Sequence, residues 1–234
     1  ALLLARSVSQ PVQQLAAAAE RVRHGDYQAS LELKRSDELG RLATAFKAMQ
    51  QGIAERERQL AHNALHDALT GLPNRTLALE RLGSAITAGR PAALLYLGVA
   101  NFRAVNESLG AQGGDLALQQ LSRRLQATLR PGDSVARIIG DEVLLLLENS
   151  DSDSAVGIAD KVQQLLLKPL RIANHDFVLE CRIGIASYPV DGNAPEELLR
   201  RASIAMQDAA GMPSHLQIYQ RGRDDAQQRQ NRLI

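Results

Sequence analysis

Between residues 37 and 60 the apolar side chains Leu39, Leu42, Phe46, Met49, Ile53 and Leu60 recur at steps of three, four, three, four and seven. That is the period of a coiled coil, and a stripe so narrow cannot be satisfied within one helix pair, so it implies a parallel dimer. The helix is expected to begin near Asp37, whose carboxylate can cap it. Ahead of it, Val12, Leu15, Ala18, Ala19 and Val22 place one apolar face on a first helix that opens at Pro11, where a missing N–H costs nothing. Gly25-Asp26 ends that helix.

Pro11, Gly25-Asp26 and the run Asp37-Glu38-Leu39-Gly40-Arg41-Leu42 together resemble a HAMP domain over residues 7–53. The resemblance implies a dimeric relay joining a membrane helix to a cytoplasmic output; a generic coiled-coil hairpin is the alternative. Residues 54–66, with Glu55-Arg56-Glu57-Arg58, read as a charged helical stalk. The apolar start Ala1-Leu2-Leu3-Leu4-Ala5, followed by Arg6, is too short to span a bilayer, which takes roughly 20 residues. It reads either as the end of a transmembrane helix, residues 1–6, or as a plain apolar helix start.

Composition removes several function classes. With 27 Lys+Arg against 26 Asp+Glu there is no strong basic field, and Tyr 4, Phe 3 and Trp 0 give no base-stacking platform, so no nucleic acid is expected. A single cysteine, Cys181, excludes an internal disulfide and a cysteine-based zinc site. His62 and His66 stand four apart without an adjacent Glu, which reads as a solvated helix face and not a metal site.

From Asp67 the texture changes to alternating strands and helices. Ala92 to Ala100 reads as a buried strand, and residues 115–129 as a helix ended by Arg130-Pro131-Gly132-Asp133. Ser134 to Ile139 and Val143 to Leu147 read as a tight hairpin, and residues 154–166 as a helix. Arg171 to Ser187 reads as a second hairpin turning at Asn174-His175. A helix from Glu196 to Ala209 and a strand from Leu216 to Tyr219 complete the series. The expected class is α+β: a parallel two-helix coiled coil, a four-helix bundle as a dimer, plus a mixed β-sheet with flanking helices.

Residues 67–219 resemble the GGDEF domain of diguanylate cyclases. The resemblance is carried by Asp67-Ala68-Leu69-Thr70-Gly71-Leu72-Pro73-Asn74-Arg75, Asn101-Phe102-Arg103-Ala104-Val105-Asn106, Gly114-Asp115, Arg137-Ile138-Ile139-Gly140-Asp141-Glu142-Val143 and Gly184-Ile185-Ala186-Ser187-Tyr188-Pro189. It implies a sheet like the palm of nucleotide cyclases, and condensation of two GTP into cyclic di-GMP across a dimer.

The same resemblance exposes departures. A metal-binding Asp is implied four residues before Phe102, where this chain has Gly98, and a second acid where it has Ala100. Asp141 matches the other metal-binding acid and Glu142 its neighbour. Ile139 stands where a glycine lets backbone approach the nucleotide, and Ala210 and Ser214 stand where Lys and Arg are implied for the triphosphate. These substitutions lead to the expectation of a degenerate domain, not an enzyme, with Asp141 and Glu142 as remnants. No metal or cofactor is expected, and Mg²⁺ only alongside residual GTP binding. A weak cyclase and a GTP-sensing activator of a downstream EAL phosphodiesterase are the alternatives.

Asn106 and Asp115 match guanine-contacting positions, or else serve as local caps. Arg130 and Asp133 match the product-binding Arg-x-x-Asp of inhibited cyclases, with five residues, Ser134 to Ile138, before the signature turn; a surface turn is the alternative. Residues 220–234 read as a connector toward an EAL domain, or as a disordered tail. The whole reads as the relay part of a cyclic di-GMP receptor in a bacterial inner membrane, homodimeric through the HAMP and stalk helices.

Overall fold

The computed structural model describes residues 2–27, 35–172 and 175–222, and divides into two compact units, residues 1–64 and 65–234. In the first, α1 spans Leu2–Arg23 and α2 spans Glu38–Leu65. The Asp37 carboxylate accepts the Gly40 N–H at 3.1 Å, the cap that the sequence called for, and Arg35 holds the same carboxylate. Pro11 lies inside α1 and not at its first turn. The helix already runs from Leu2, so the proline forfeits one interior hydrogen bond where a helix start was expected. Among the described residues no helix is long and apolar enough to cross a membrane.

The second unit is a five-stranded sheet between two helical layers. Its elements are α3 (Arg75–Thr87), β1 (Ala92–Val99), α4 (Phe102–Thr128), β2 (Ser134–Ile139), β3 (Glu142–Glu148), α5 (Ser152–Leu166), β4 (Leu170–Ile172), β5 (His175–Phe177), β6 (Cys181–Tyr188), α6 (Pro195–Asp208) and β7 (Leu216–Ile218). The strand order is β2-β3-β1-β6-β7, antiparallel except for the β6–β7 edge. β1 sits in the middle and is buried on both faces, which is why Ala92 to Val99 reads as one continuous apolar run.

Alternation along β1 divides the core. Leu95 and Leu97 join Leu118, Leu121 and Leu125 of α4 and Val162 of α5 on one face. Leu94 and Tyr96 join Leu82 of α3 and Leu198 and Ala202 of α6 on the other. Gly184 of β6 makes the second layer close: a Cβ there would lie 2.1 Å from the Met206 nitrogen and 2.2 Å from the Ala202 oxygen, so only glycine admits the α6 backbone.

Two expectations are corrected here. The helix placed at 115–129 begins at Phe102 and runs through a break at Gly110 (φ 69°), which the glycine alone can adopt without strain. The region from Arg171 to Ser187 is not one hairpin: β4 and β5 form a separate two-stranded sheet, while β6 joins the main sheet beside β1. Asn174, placed at its turn, lies outside the described residues, as do residues 223–234 of the connector. α3 was not anticipated; Asn74 caps it by accepting the Leu77 N–H at 3.1 Å.

Candidate functional site

The β2–β3 turn carries Asp141 and Glu142 to the end of the central strand. Gly140 takes φ +54°, and the Arg137 side chain braces the turn by donating to the Gly140 carbonyl at 2.9 Å. The same guanidinium meets both oxygens of Asp67, at 3.0 and 3.1 Å, which binds the turn to the loop preceding α3. Burial raises the Asp67 carboxyl, but the Thr70 side chain, Arg137 and the Thr70 N–H outweigh it and hold the group below its ordinary value.

Each acid of the turn is anchored on β1. Asp141 Oδ2 accepts the Val99 N–H at 3.1 Å, and Glu142 Oε2 accepts the Tyr96 hydroxyl at 2.5 Å. Burial, and then the Glu142 hydrogen bond, drive the Tyr96 phenol well above its usual range, so it stays a donor. Beside them opens a cavity of about 290 Å³ lined by Gly98, Ala100, Asp141, Glu142, Arg182 and Met206 among others.

Gly98 is a real gap in the acid set. A Cβ at that position would lie 3.1 Å from Met206 Sδ, so the thioether occupies the space that a longer side chain would enter. Ala100 adds no ligand either. Two carboxylates, both already accepting protein hydrogen bonds, do not make a cage for a pair of hard cations, which need many oxygens. Among the described residues no group of three His, Cys, Asp or Glu could hold a metal ion.

The other sequence-selected residues fall in three places. Asn106 and Asp115 both belong to α4, on either side of the Gly110 break, so neither is a helix-start cap. A Cβ at Gly114 would lie 1.9 Å from Asn106 Oδ1, so the glycine lets Asn106 reach the helix turn that presents Asp115. Ile139 is 68% exposed and does not line this cavity. Ala210 and Ser214 are exposed and stand outside it too.

Arg130 and Asp133 come together, but on each other. Arg130 Nε lies 3.3 Å from Asp133 Oδ2, and its other donors meet the Glu148 carbonyl at 2.8 Å and Ser150 Oγ at 2.9 Å. The Asp133 side chain, only 3% exposed, accepts the Glu148 N–H at 3.2 Å. A separate cavity of about 480 Å³ adjoins them, with Arg81 and His66 on its wall.

Arg182 is the functional candidate the sequence reading missed. The available signal was alternation: Gly184 and Ala186, on the same face of β6, are buried, so a charged residue at 182 breaks the pattern.

Comparison with known proteins gives these features a family. Residues 64–212 match the family model described as diguanylate cyclase, GGDEF domain, and residues 3–55 match the HAMP domain. The Pseudomonas aeruginosa bifunctional diguanylate cyclase/cyclic di-GMP phosphodiesterase MucR is 37% identical over 173 residues, 72% of this chain and 25% of MucR. The diguanylate cyclase TpbB of the same species is 33% identical over 217 residues, 87% of this chain and 50% of TpbB. A solved structure of the TpbB GGDEF domain superposes with a TM-score of 0.65 at 30% identity, covering 70% of this chain and 99% of that one. The chain thus spans a quarter to a half of the length of these curated relatives.

These matches overturn the expectation that the chain is not an enzyme. Its family model and both MucR and TpbB are cyclases by description, and the substitutions at 98, 139, 210 and 214 do not establish inactivity. With the signature turn, its Asp67–Arg137 brace and the palm-like sheet all in place, the chain belongs to the GGDEF diguanylate cyclase family, carried behind a HAMP domain.

Proposed function

We propose that this chain is the HAMP-controlled, cyclase-type module of a membrane-attached bacterial cyclic di-GMP signalling protein. The HAMP and stalk helices hold two copies together, and each GGDEF domain takes a guanine nucleotide in the cleft beside Asp141. The observation that supports it is the pair Asp141 and Glu142, each fixed by a hydrogen bond from β1 at the mouth of that cavity. One cleft holds one nucleotide. Joining two GTP, each 3′-hydroxyl displacing pyrophosphate from the other's α-phosphate, therefore needs two copies and releases two pyrophosphates. Asn106 and Asp115 are the groups for the guanine edge, an amide and a carboxylate able to accept from its N–H donors.

The upstream relay works if signal shifts the population between two helix packings that differ in stability. Mg²⁺ would accompany the nucleotide's phosphates, with Asp141 its protein ligand. MucR, which also bears a phosphodiesterase, favours a second role: residues 220–234 lead to a further domain that the nucleotide-bound state controls. Cyclic di-GMP at Arg130 and Asp133 would have to open the contact that those two residues make with each other.

The test is incubation of the 234-residue chain with GTP and Mg²⁺ or Mn²⁺, followed by chromatography of the products. Slow formation of cyclic di-GMP is expected, falling at least tenfold in Asp141→Asn. Prolonged incubation that yields no product from the wild-type chain would overturn the cyclase reading.

A further inference from the structure

Strands β3, β1 and β6 lie side by side, and their register sets Glu142 opposite Gly98 and Gly98 opposite Arg182. Directly paired residues present their side chains to the same face, so these three form one row across the sheet. Strands are about 4.8 Å apart, which places the backbones of 142 and 182 about 10 Å from each other, with no side chain at the middle position. An acid at 98 would stand within reach of the Arg182 guanidinium. Glycine leaves that cation without it.

The Arg182 side chain makes no hydrogen bond or ion pair among the described residues, and its Nε is buried. The other arginines near the sheet ends are committed: Arg137 to Asp67, Arg130 to Asp133, Arg90 to Glu148 and Arg201 to Glu197. A partly buried guanidinium without a partner is costly to keep. It lines the same cavity as Asp141 and Glu142 and is the one cation among the described residues that do so. Both carboxylates are already tied to β1, and Gln207 adds an amide at the rim.

We propose that Arg182 is the phosphate-binding group of this cleft, offering its planar fork to two oxygens of a nucleotide's polyphosphate. It supplies from within the chain the positive charge that a bound cation supplies in a carboxylate-lined site. The inference rests on the guanine-nucleotide reading of the same cleft and adds a consequence: nucleotide binding does not depend on a divalent ion.

The test is calorimetric titration of the 234-residue chain with GTP and with inorganic tripolyphosphate, first in EDTA and then in excess Mg²⁺. Arg182→Gln, Arg182→Lys and Gly98→Asp are titrated alongside, with a thermal melt of each. GTP is expected to bind in EDTA within about threefold of its affinity in Mg²⁺, and tripolyphosphate to compete. Arg182→Gln should weaken binding in EDTA at least tenfold, with part restored in Arg182→Lys. Gly98→Asp, which gives the guanidinium a carboxylate at the cost of moving the flexible end of Met206, should lose the EDTA binding as well. Should Arg182→Gln fail to fold, Gly98→Asp and Arg182→Lys carry the test. Wild-type binding that needs Mg²⁺, or a folded Arg182→Gln or Gly98→Asp chain that binds in EDTA as tightly as wild type, overturns the role of Arg182 and leaves the nucleotide reading standing. No GTP binding by the wild-type chain in either buffer overturns both.

Discussion

The two units of this chain dispose of their apolar side chains in opposite ways. In residues 65–234 the aliphatics of the central strands β1 and β3 are sealed: Leu94, Leu95, Leu97, Leu144 and Leu145 are each 1% exposed or less. In the helices of the first unit Val8, Val12, Leu42, Met49 and Leu60 stand at least 48% open to solvent, while the buried set of α2 is Gly40, Ala43, Gln50 and Ala54. One region finishes its core within a single copy and the other does not. The heptad arithmetic says the same, since a stripe stepping three and four finds its holes on another helix. The core around β1 and β3 is complete in one copy, whereas the helices leave an apolar stripe to be covered, as the proposed dimer would do.

The sharpest way to break that contrast is to strike the self-sufficient core at its tightest point. Gly184→Ala would put a methyl about 2 Å from backbone atoms of Ala202 and Met206, and backbone cannot rotate out of the way as a side chain can. A loss of about 3 kcal/mol or more is expected, read by denaturant unfolding of the second unit. A melt indistinguishable from wild type would mean that α6 sits farther from β6 than described.

The opposite surface should respond in association and not in folding. Leu42 and Met49 are seven apart, 54% and 52% exposed, so the double change Leu42→Gln, Met49→Gln removes apolar area without opening a cavity. Sedimentation should show dimer affinity weakened at least tenfold, about 1.4 kcal/mol, with the melt of the second unit unmoved. An unchanged dimer would place the interface on another face.

How much of this was legible beforehand depends on whether one residue or a pairing decides the matter. The Asp37 cap, the continuous β1 run and the Asp141-Glu142 turn were readable because local chemistry fixes them. The hairpin assigned to 171–187 failed because β6 takes its partners from β1 and β7, and no local pattern states which strand pairs with which. The reading began α4 only at Asp115, whereas the helix starts at Phe102 and resumes after a single residue at φ 69°, Gly110. α3 was overlooked inside a loop-like motif, although Asn74 ahead of Ala78, Leu82 and Ala85 is a cap followed by an i, i+4, i+7 face. The candidate site divides the same way. Gly98 was visible as a missing acid, but its meaning lies in register: only the sheet places Glu142 and Arg182 on either side of it.

The smallest expected effect separates the two units by the reach of their electrostatics. Asp67 and Asp37 are both carboxylates held below their ordinary range, by different means. For Asp67 burial works against the shift, and the Thr70 and Arg137 contacts overcome it between side chains only 24% and 16% exposed. For Asp37 the Arg35 guanidinium leads, on an open helix start. A carboxyl lowered on folding adds stability that is complete above its unfolded value, near pH 4, and is lost as pH falls through the folded one. Comparing wild type with Asp67→Asn, which keeps the oxygen for Thr70 but drops the charge facing Arg137, should show a gap of about 1 kcal/mol at pH 7 that shrinks as pH falls below the ordinary carboxylate value, about 4. Added salt should leave most of that gap in place, because the pair is partly withdrawn from solvent, while any difference made by Asp37→Asn fades as ionic strength rises. A gap at Asp67 that is flat with pH would assign its role to the Thr70 hydrogen bonds alone and leave the signature turn braced by Arg137 through the Gly140 carbonyl.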